Sequence, residues 1–491
     1  MLSRHDIGGY PGLMDLTKLL HENFPYSGFR SGQLEVLSRL MAGDDLLALM
    51  PTGGGKSLCF QFPAKVRAGM VLVLSPLIAL MQDQVQKATD LGIPSSFLAS
   101  VLSREERQRR INQLARGRFR LFFVTPERFR KEDFKQALSQ NQIQLLVVDE
   151  AHCISQWGHD FRPDYSRIGE LRRSLGSPQV LALTATATPK VQEEICSQLG
   201  ISQVFRGGIE RDNLSLRVLD VHGTDGKIKE LIPLLLARPG ATIVYFALIE
   251  TLLEVSRNLF RQGIPHLRYH GEMESGQRRK ALQEFMNEEA PLMLATPAFG
   301  LGIDKANVRM IVHFEVPGSL EAYYQEAGRA GRDGLPSQAL LLFDEEDISI
   351  QMEFLRWSYP DDEFVLRTFR FLKDRSDEVR SSGIDWLREQ LSFRNKRDYR
   401  VESALRILER LGCVEHGDGG EYPFVPVREP TKNDFSAENN SEQLKRAQMR
   451  LLQMLRWAKD YQTCRLQGIY RYFGLTDSAD CGRCDVCEER S

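Results

Sequence analysis

The sequence predicts an α/β protein built on parallel sheets covered on both faces, repeated twice and followed by a helical C-terminal region. The prediction rests on strand-length apolar runs that alternate with helix-compatible stretches. In the first half these runs are Leu46–Met50, Met70–Leu74, Leu121–Val124, Leu145–Val148 and Val180–Leu183, each ending in polar or turn residues. A second block starts near Leu216, with runs at Thr242–Phe246, Pro291–Leu294, Met310–Phe314 and Ala339–Phe343. The third observation is a glycine loop, Met50-Pro51-Thr52-Gly53-Gly54-Gly55-Lys56-Ser57, set between the first run and the stretch Leu58 to Phe62. At 491 residues the chain is too long for one domain, and three or four are expected.

Composition excludes little. A hydrophobic content of 42% with 26% charged residues is that of an ordinary globular protein. The start of the chain has no apolar core of signal-peptide length, and no apolar run reaches the length of a membrane span. No membrane association and an intracellular location are expected. A net charge of −2 means that any nucleic-acid surface must be a local patch. Of the eight cysteines, Cys59, Cys153, Cys196 and Cys413 are scattered and read as buried thiols, whereas the other four cluster at the end.

Residues 1–23 carry little signal beyond a short amphipathic stretch, Leu13 to Leu20. The segment that follows holds Tyr26 and Gln33. An amide can donate to and accept from an adenine edge, and a ring can stack on its face. A polar first turn of a helix explains both residues equally well. In the glycine loop, Gly53, Gly54 and Gly55 let backbone N–H groups approach phosphates, helped by the helix N-terminus. Lys56 supplies a point charge, and Ser57 is placed to ligate Mg²⁺. The first glycine of the usual phosphate-loop pattern is replaced by Met50.

The carboxyl ends of parallel strands collect functional residues. Asp149-Glu150-Ala151-His152 closes one such run. Asp149 is assigned to Mg²⁺, Glu150 to polarising the attacking water, and His152 to sensing the γ-phosphate. The next loop, Cys153 to Tyr165, places Trp157 and Phe161 beside Arg162. Stacking rings with a cation suit single-stranded nucleic acid. Packing of the loop by its own rings is the competing explanation. In the second block, Arg329 and Arg332 lie three apart in Gly328–Gly334. Arginine supplied across a cleft would make hydrolysis depend on domain closure.

Taken together, Phe29–Gln33, Met50–Ser57, Leu74–Leu77, Asp149–Tyr165, Leu183–Thr188, Phe299–Lys305 and Tyr323–Gly334 resemble the motif set of RecQ-type ATP-dependent DNA helicases of superfamily 2. The resemblance runs over roughly residues 24–350. It implies two RecA-like domains, at 24–208 and 209–350, with ATP between them and single-stranded DNA across their tops. It also implies 3′→5′ unwinding of duplex or branched DNA in recombination, repair and replication-fork maintenance. By position, Thr52 to Ser57 hold ATP, with Gln33, Tyr26 and Arg30 at the base. Lys56, Asp149, Glu150, Arg329 and Arg332 are catalytic, Arg332 being the first choice for the transition-state contact. Two departures stand out: Phe246–Glu250 lacks the usual serine/threonine–arginine, and Pro297 replaces an aliphatic residue.

Cys464, Cys481, Cys484 and Cys487 read C-x16-C-x2-C-x2-C, a closed four-thiolate set for structural Zn²⁺. They match the family's zinc module, expected at 441–491 behind a long helical pattern, Ser441 to Thr463. Residues 360–428 interrupt the family pattern. Helical spacing at Phe364–Leu372, Ile384–Leu391 and Val401–Leu411, then a glycine-rich turn before Tyr422–Val427, predicts a winged-helix-like insert. Arg394, Lys396, Arg397, Arg400, Arg406 and Arg410 of the insert either face a phosphate backbone or form an ordinary charged surface. Residues 429–440 read as a polar linker. The chain is expected to be a monomeric short form ending at the zinc module. Its expected partners are single-stranded and branched DNA, with single-strand-binding or recombination proteins as further candidates. It would be cytoplasmic and nucleoid-associated in a bacterium, nuclear in a eukaryote. An RNA helicase, or an ATP-driven DNA clamp that does not unwind, are the alternatives.

Overall fold

The computed structural model describes residues 15–490 except 52, 100, 156, 159–161, 208–210, 301–304, 392–397, 416–423, 439 and 476–478. Thr52, Phe161, Arg394, Lys396, Arg397 and the glycine turn at 417–420 therefore lie outside the described residues.

The first sheet contains β1 (Leu46–Leu49), β2 (Met70–Leu74), β3 (Ser95–Leu98), β4 (Leu121–Val124), β5 (Ile143–Val148), β6 (Gln179–Thr184) and β7 (Gln203–Arg206). Its order is β3-β4-β2-β5-β6-β1-β7, with every neighbouring pair parallel. The central strands are buried along their whole length because helices cover both faces. The second sheet contains β8 (Leu214–Asp220), β9 (Ala241–Tyr245), β10 (Leu267–Tyr269), β11 (Leu292–Ala295), β12 (Val308–His313) and β13 (Ser337–Phe343). It runs β10-β11-β9-β12-β13-β8, again all parallel. Two parallel-sheet domains are thus present, as the alternation predicts, and they are of the RecA-like kind that the resemblance implies.

The strands that sequence reading leaves out are β3, β7 and β10, and all three are edges. An edge strand is covered on fewer sides, so its residues need not be apolar: β3 begins Ser95-Ser96, and β10 is nowhere fully buried.

The N-terminal boundary also moves. Leu16–Asn23 is helical, capped by the Asp15 carboxylate on Lys18 N–H. Its Leu16 and Leu20, with Phe24, are buried in the core of the first domain. This helix belongs to that domain rather than to a separate segment at 1–23.

The region from Asp362 has a core of its own, formed by Phe364, Phe369, Leu387, Val401, Leu405 and Leu408 among others. Helices Asp362–Asp374, Ser376–Leu391 and Arg400–Arg410 surround it, the second broken at Gly383 (φ 78°). A two-stranded antiparallel sheet pairs β14 (Val414–Glu415) with β15 (Val425–Pro426). Three helices followed by an antiparallel pair is the expected order of elements. Residues 429–440 are not an unstructured linker, because they carry the helix Lys432–Glu438. Thr431 and Asp434 close a reciprocal cap there: Thr431 N–H donates to the Asp434 carboxylate at 2.7 Å, and Asp434 N–H to Thr431 Oγ1 at 3.4 Å. Polar composition suggested a linker, but these polar residues cap a helix.

Candidate nucleotide cleft and zinc centre

The glycine loop leaves β1 with Met50 N–H bonded to the Thr184 carbonyl at the end of β6. Gly53 (φ 82°) and Gly55 (φ 74°) are left-handed, a conformation that excludes most side chains. Both are also crowded. A Cβ on Gly55 would sit 2.3 Å from Gln33 Nε2, and one on Gly53 would sit 2.9 Å from Arg332 Cγ. The second contact crosses between domains and brings the Arg332 side chain onto the phosphate loop. Arg329 lies elsewhere, with Nη2 2.9 Å from where a Gly300 Cβ would be, inside its own domain. Of the two arginines, Arg332, the first choice from sequence, is the one whose side chain lies against Gly53, while both lie near Tyr245.

Gln33 is buried and wrapped around the loop. Its Oε1 accepts from Arg30 N–H at 2.7 Å, and its Nε2 donates to the Gly55 carbonyl at 2.9 Å. Arg30 Nη1 reaches the Gly53 carbonyl at 2.8 Å. Each atom of the Gln33 amide still has capacity for one more hydrogen bond, enough for an adenine edge. Tyr26 is 42% exposed and stacks through Phe24 onto Phe62.

Asp149 follows β5 and is half-buried, its backbone N–H bonded to the Leu74 carbonyl. Burial first, then the Glu150 charge, raises its carboxyl to about 7, while Lys56 pulls the other way. A divalent cation beside it would favour the ionised form. Glu150 turns the chain in a left-handed conformation (φ 49°), and its Oε2 is buried with no hydrogen-bond partner among the described residues. His152 Nδ1 stands 3.0 Å from Thr184 Oγ1 and 3.4 Å from Glu150 Oε2, which ties the two strand ends together.

The structure adds residues that sequence reading passed over. Arg211 Nη1 and Nη2 donate to the carbonyls of Gly328 and Gly331, and Asn213 Nδ2 donates to those of Gly331 and Leu335. These two side chains shape the arginine loop. No local motif marks them, since they act about 120 residues away in sequence. Gln325 Nε2 donates to Thr186 Oγ1 at 3.1 Å, a second bond between the domains. Arg162 Nη1 donates to the Pro76 carbonyl at 3.1 Å, so this arginine braces the aromatic loop.

The four clustered cysteines converge, with all sulfurs within 4.8 Å of one another. Cys464 Sγ and Cys484 Sγ are 4.0 Å apart, as are Cys481 Sγ and Cys487 Sγ. Tetrahedral thiolates about 2.3 Å from zinc would be about 3.8 Å apart, so the set fits the ion and excludes a disulfide. Beneath it, the fully buried Arg465 donates to Asp485 and to the carbonyls of Trp457, Ala458 and Asp460.

Residues 30–195 match the DEAD/DEAH box helicase model, 226–334 the helicase conserved C-terminal domain and 427–488 the RecQ zinc-binding model. The zinc match starts before 441 and takes in the capped helix. A probable ATP-dependent DNA helicase RecS of Bacillus subtilis is 38% identical over 371 residues, which cover 74% of either chain. The chain belongs to the RecQ family of superfamily 2 helicases. The ATP-dependent DNA helicase RecQ of B. subtilis is 43% identical over 337 residues, 68% of this chain but 57% of that one. The chain thus spans little more than half the length of that relative. S. cerevisiae Dbp5 bound to RNA and ADP BeF3 shares the fold, with a TM-score of 0.55 at 18% identity over 69% of this chain and 90% of that one. Among the described residues no helix is long and apolar enough to cross a membrane.

Proposed function

We propose that this chain is an ATP-dependent DNA helicase that moves 3′→5′ and unwinds duplex or branched DNA in recombination, repair and replication-fork maintenance. The observation that carries the reading is the approach of Arg332 from the second domain to Gly53 of the phosphate loop on the first. A site divided between two bodies is completed only when they close. Hydrolysis can then be tied to a movement along a strand.

ATP is the substrate, and Mg²⁺ held by Ser57 and Asp149 would neutralise phosphate charge. Lys56 binds the phosphates, and Gln33, Arg30 and Tyr26 orient the base end. Glu150 accepts a proton from the attacking water, while Arg332 balances charge on the γ-phosphoryl group as it passes to water and ADP leaves. Arg329 holds the arginine loop. Trp157, Phe161 and Arg162 meet single-stranded DNA and signal it to Glu150 through the intervening turn. Zinc on Cys464, Cys481, Cys484 and Cys487 staples the C-terminal helices. The protein would act as a monomer in the nucleoid, or in the nucleus of a eukaryote, alongside single-strand-binding or recombination proteins.

The test is strand displacement on 3′-tailed, 5′-tailed and forked duplexes, with Lys56→Ala as the hydrolysis-dead control. Release from the 3′-tailed and forked duplexes, but not from the 5′-tailed one, is the expected result. DNA-stimulated hydrolysis without release would leave the clamp, and stronger stimulation by RNA would leave the RNA helicase.

A further inference from the structure

Trp157 is gripped from two parts of the molecule. Lys190 Nζ of the first domain lies 3.0 Å from its ring centroid, and Arg446 Cζ of the helix Asn440–Ala458 lies 4.1 Å from it. Arg450 of the same helix donates from Nη1 to the Trp157 carbonyl at 3.3 Å. Arg446 and Arg450 are four residues apart and so share one helix face. The contact has neighbours that join the same two bodies. Gln192 Nε2 donates to the Phe473 carbonyl at 3.4 Å, and a Cβ on Gly474 would meet the Pro189 ring at 2.5 Å.

Both ends of this bridge lead to the cleft. On one side, Trp157 N–H donates to Ser155 Oγ at 3.0 Å, and Ser155 closes the short turn Ala151–Ile154 that starts at Glu150. Ser155 Oγ in turn donates to Glu194 at 2.6 Å. On the other, the helix Asn440–Ala458 packs on the helix Leu320–Ala327, with the Trp457 ring tilted against Tyr323, centroids 4.7 Å apart. The loop Gly328–Gly334 with Arg332 follows that helix directly. A planar guanidinium can stack on an indole while the next turn of its helix bonds the same residue's carbonyl, which fixes both the ring and the backbone of the loop.

We propose that Arg446 and Arg450 are positioning residues that seat the aromatic loop on the zinc module. Single-stranded DNA meeting Trp157 is then felt both at Glu150 and in the body that carries Arg332. The inference rests on the reading of this loop as the DNA-coupling element.

The test measures ATP hydrolysis with and without oligo-dT for wild type, Arg446→Ala, Arg450→Ala, the double variant and Arg446→Lys. The double variant should keep its basal rate, its KM for ATP and its bound zinc. Its maximal DNA-stimulated rate should fall roughly tenfold, the scale of losing one cation–π contact and one hydrogen bond. Arg446→Lys should retain more stimulation than Arg446→Ala. Adding Arg446→Ala to Trp157→Ala should cost nothing further, because the arginine acts through the ring. Wild-type stimulation in the double variant overturns the proposal, as does a further loss in the Trp157→Ala background. Loss of zinc or of basal hydrolysis in every arginine variant would assign the pair to folding and also overturn it. Full stimulation in Trp157→Ala alone would reject the coupling loop itself, a result distinct from the others.

Discussion

At the scale of single residues, the cleft is organised by what each side chain cannot avoid. Glu150 holds a left-handed backbone, and its carboxylate is partly unsatisfied beside the half-buried Asp149. Such constraint persists only where surrounding structure enforces it, as the strand end and the His152–Thr184 contact do here. Arg332 is the residue that reaches the phosphate loop, whereas Arg329 packs by Gly300. Arg332→Ala should therefore lower the DNA-stimulated kcat by about 10³-fold with little change in KM, as loss of a transition-state contact does. Arg329→Ala should act more weakly, through the shape of its loop, and steady-state kinetics of the two variants separate these roles. A second carboxyl is poised away from the chemistry. Burial raises Glu315 from 4.5 to about 7, and the Ala247 N–H that donates to it at 2.9 Å offsets only part of this. Because the folded state holds this proton more tightly than the unfolded one, stability should fall as pH rises from about 4.5 through about 7. Glu315→Gln should remove that loss, on the order of 2 kcal/mol. Its melting temperature should then exceed that of wild type at pH 8 and match it near pH 5, by calorimetry.

At the scale of elements, the loops that carry chemistry are held by partners distant in sequence. The arginine loop hangs from Arg211 and Asn213, and Arg309 pairs with Asp333 at its far end. Asn213→Ala should weaken the loop without touching ATP. The expected outcome is a several-fold lower kcat and a stability loss of about 1–2 kcal/mol, since two hydrogen bonds are lost, although Arg211 still donates to the Gly331 carbonyl and Ser337 Oγ to that of Leu335. Urea unfolding together with steady-state kinetics reads both effects. The zinc module is another such element. Cys464 and Cys484 each precede a short helix, Arg465–Tyr472 and Asp485–Glu489, so one ion would fix two helix starts. Chelation, or Cys484→Ser, should release about one zinc per chain and open residues near 460–490 to proteolysis. The two parallel sheets should keep their far-ultraviolet signal.

At the scale of the whole molecule, three bodies meet. The first domain touches the second through Gly53 and Arg332 and through Thr186 and Gln325, and touches the zinc module through Trp157, Pro189 and Gln192. The zinc module is joined to the second domain by Arg217–Glu488 and by Asp485 on the Val218 N–H. Nucleotide and DNA can thus act on one closure from two sides. The 362–428 region stands beside this assembly with its own core, and its helix Arg400–Arg410 leaves Arg406 and Arg410 exposed. If these two arginines meet duplex phosphates, replacing both by Ala should lower the salt slope of forked-duplex binding by about 2. Single-strand-stimulated hydrolysis should be unaffected, and an unchanged slope would leave them as surface charges.

Much of this was legible in the chain itself. The central strands announce themselves because burial on both faces demands continuous apolar runs, as in Leu46–Leu49 and Leu121–Val124. The glycine loop, Asp149-Glu150 and the four cysteines are legible because phosphate, metal and thiolate chemistry need those residue types at close sequence spacing. What sequence could not give was the contacts by which distant segments hold one another in place. Edge strands such as Ser95–Leu98 carry no strong pattern because they are less fully enclosed. The capped helix Lys432–Glu438 passed for a linker because its polar residues satisfy backbone groups rather than a core. Only the tertiary structure laid the Arg332 side chain against Gly53, assigned Arg211 and Asn213 to the arginine loop, and laid Arg446 on Trp157. Those roles depend on where two sheets and a zinc-stapled helix come to rest against one another. Packing between separate bodies fixes that arrangement, and it leaves no periodicity in the chain.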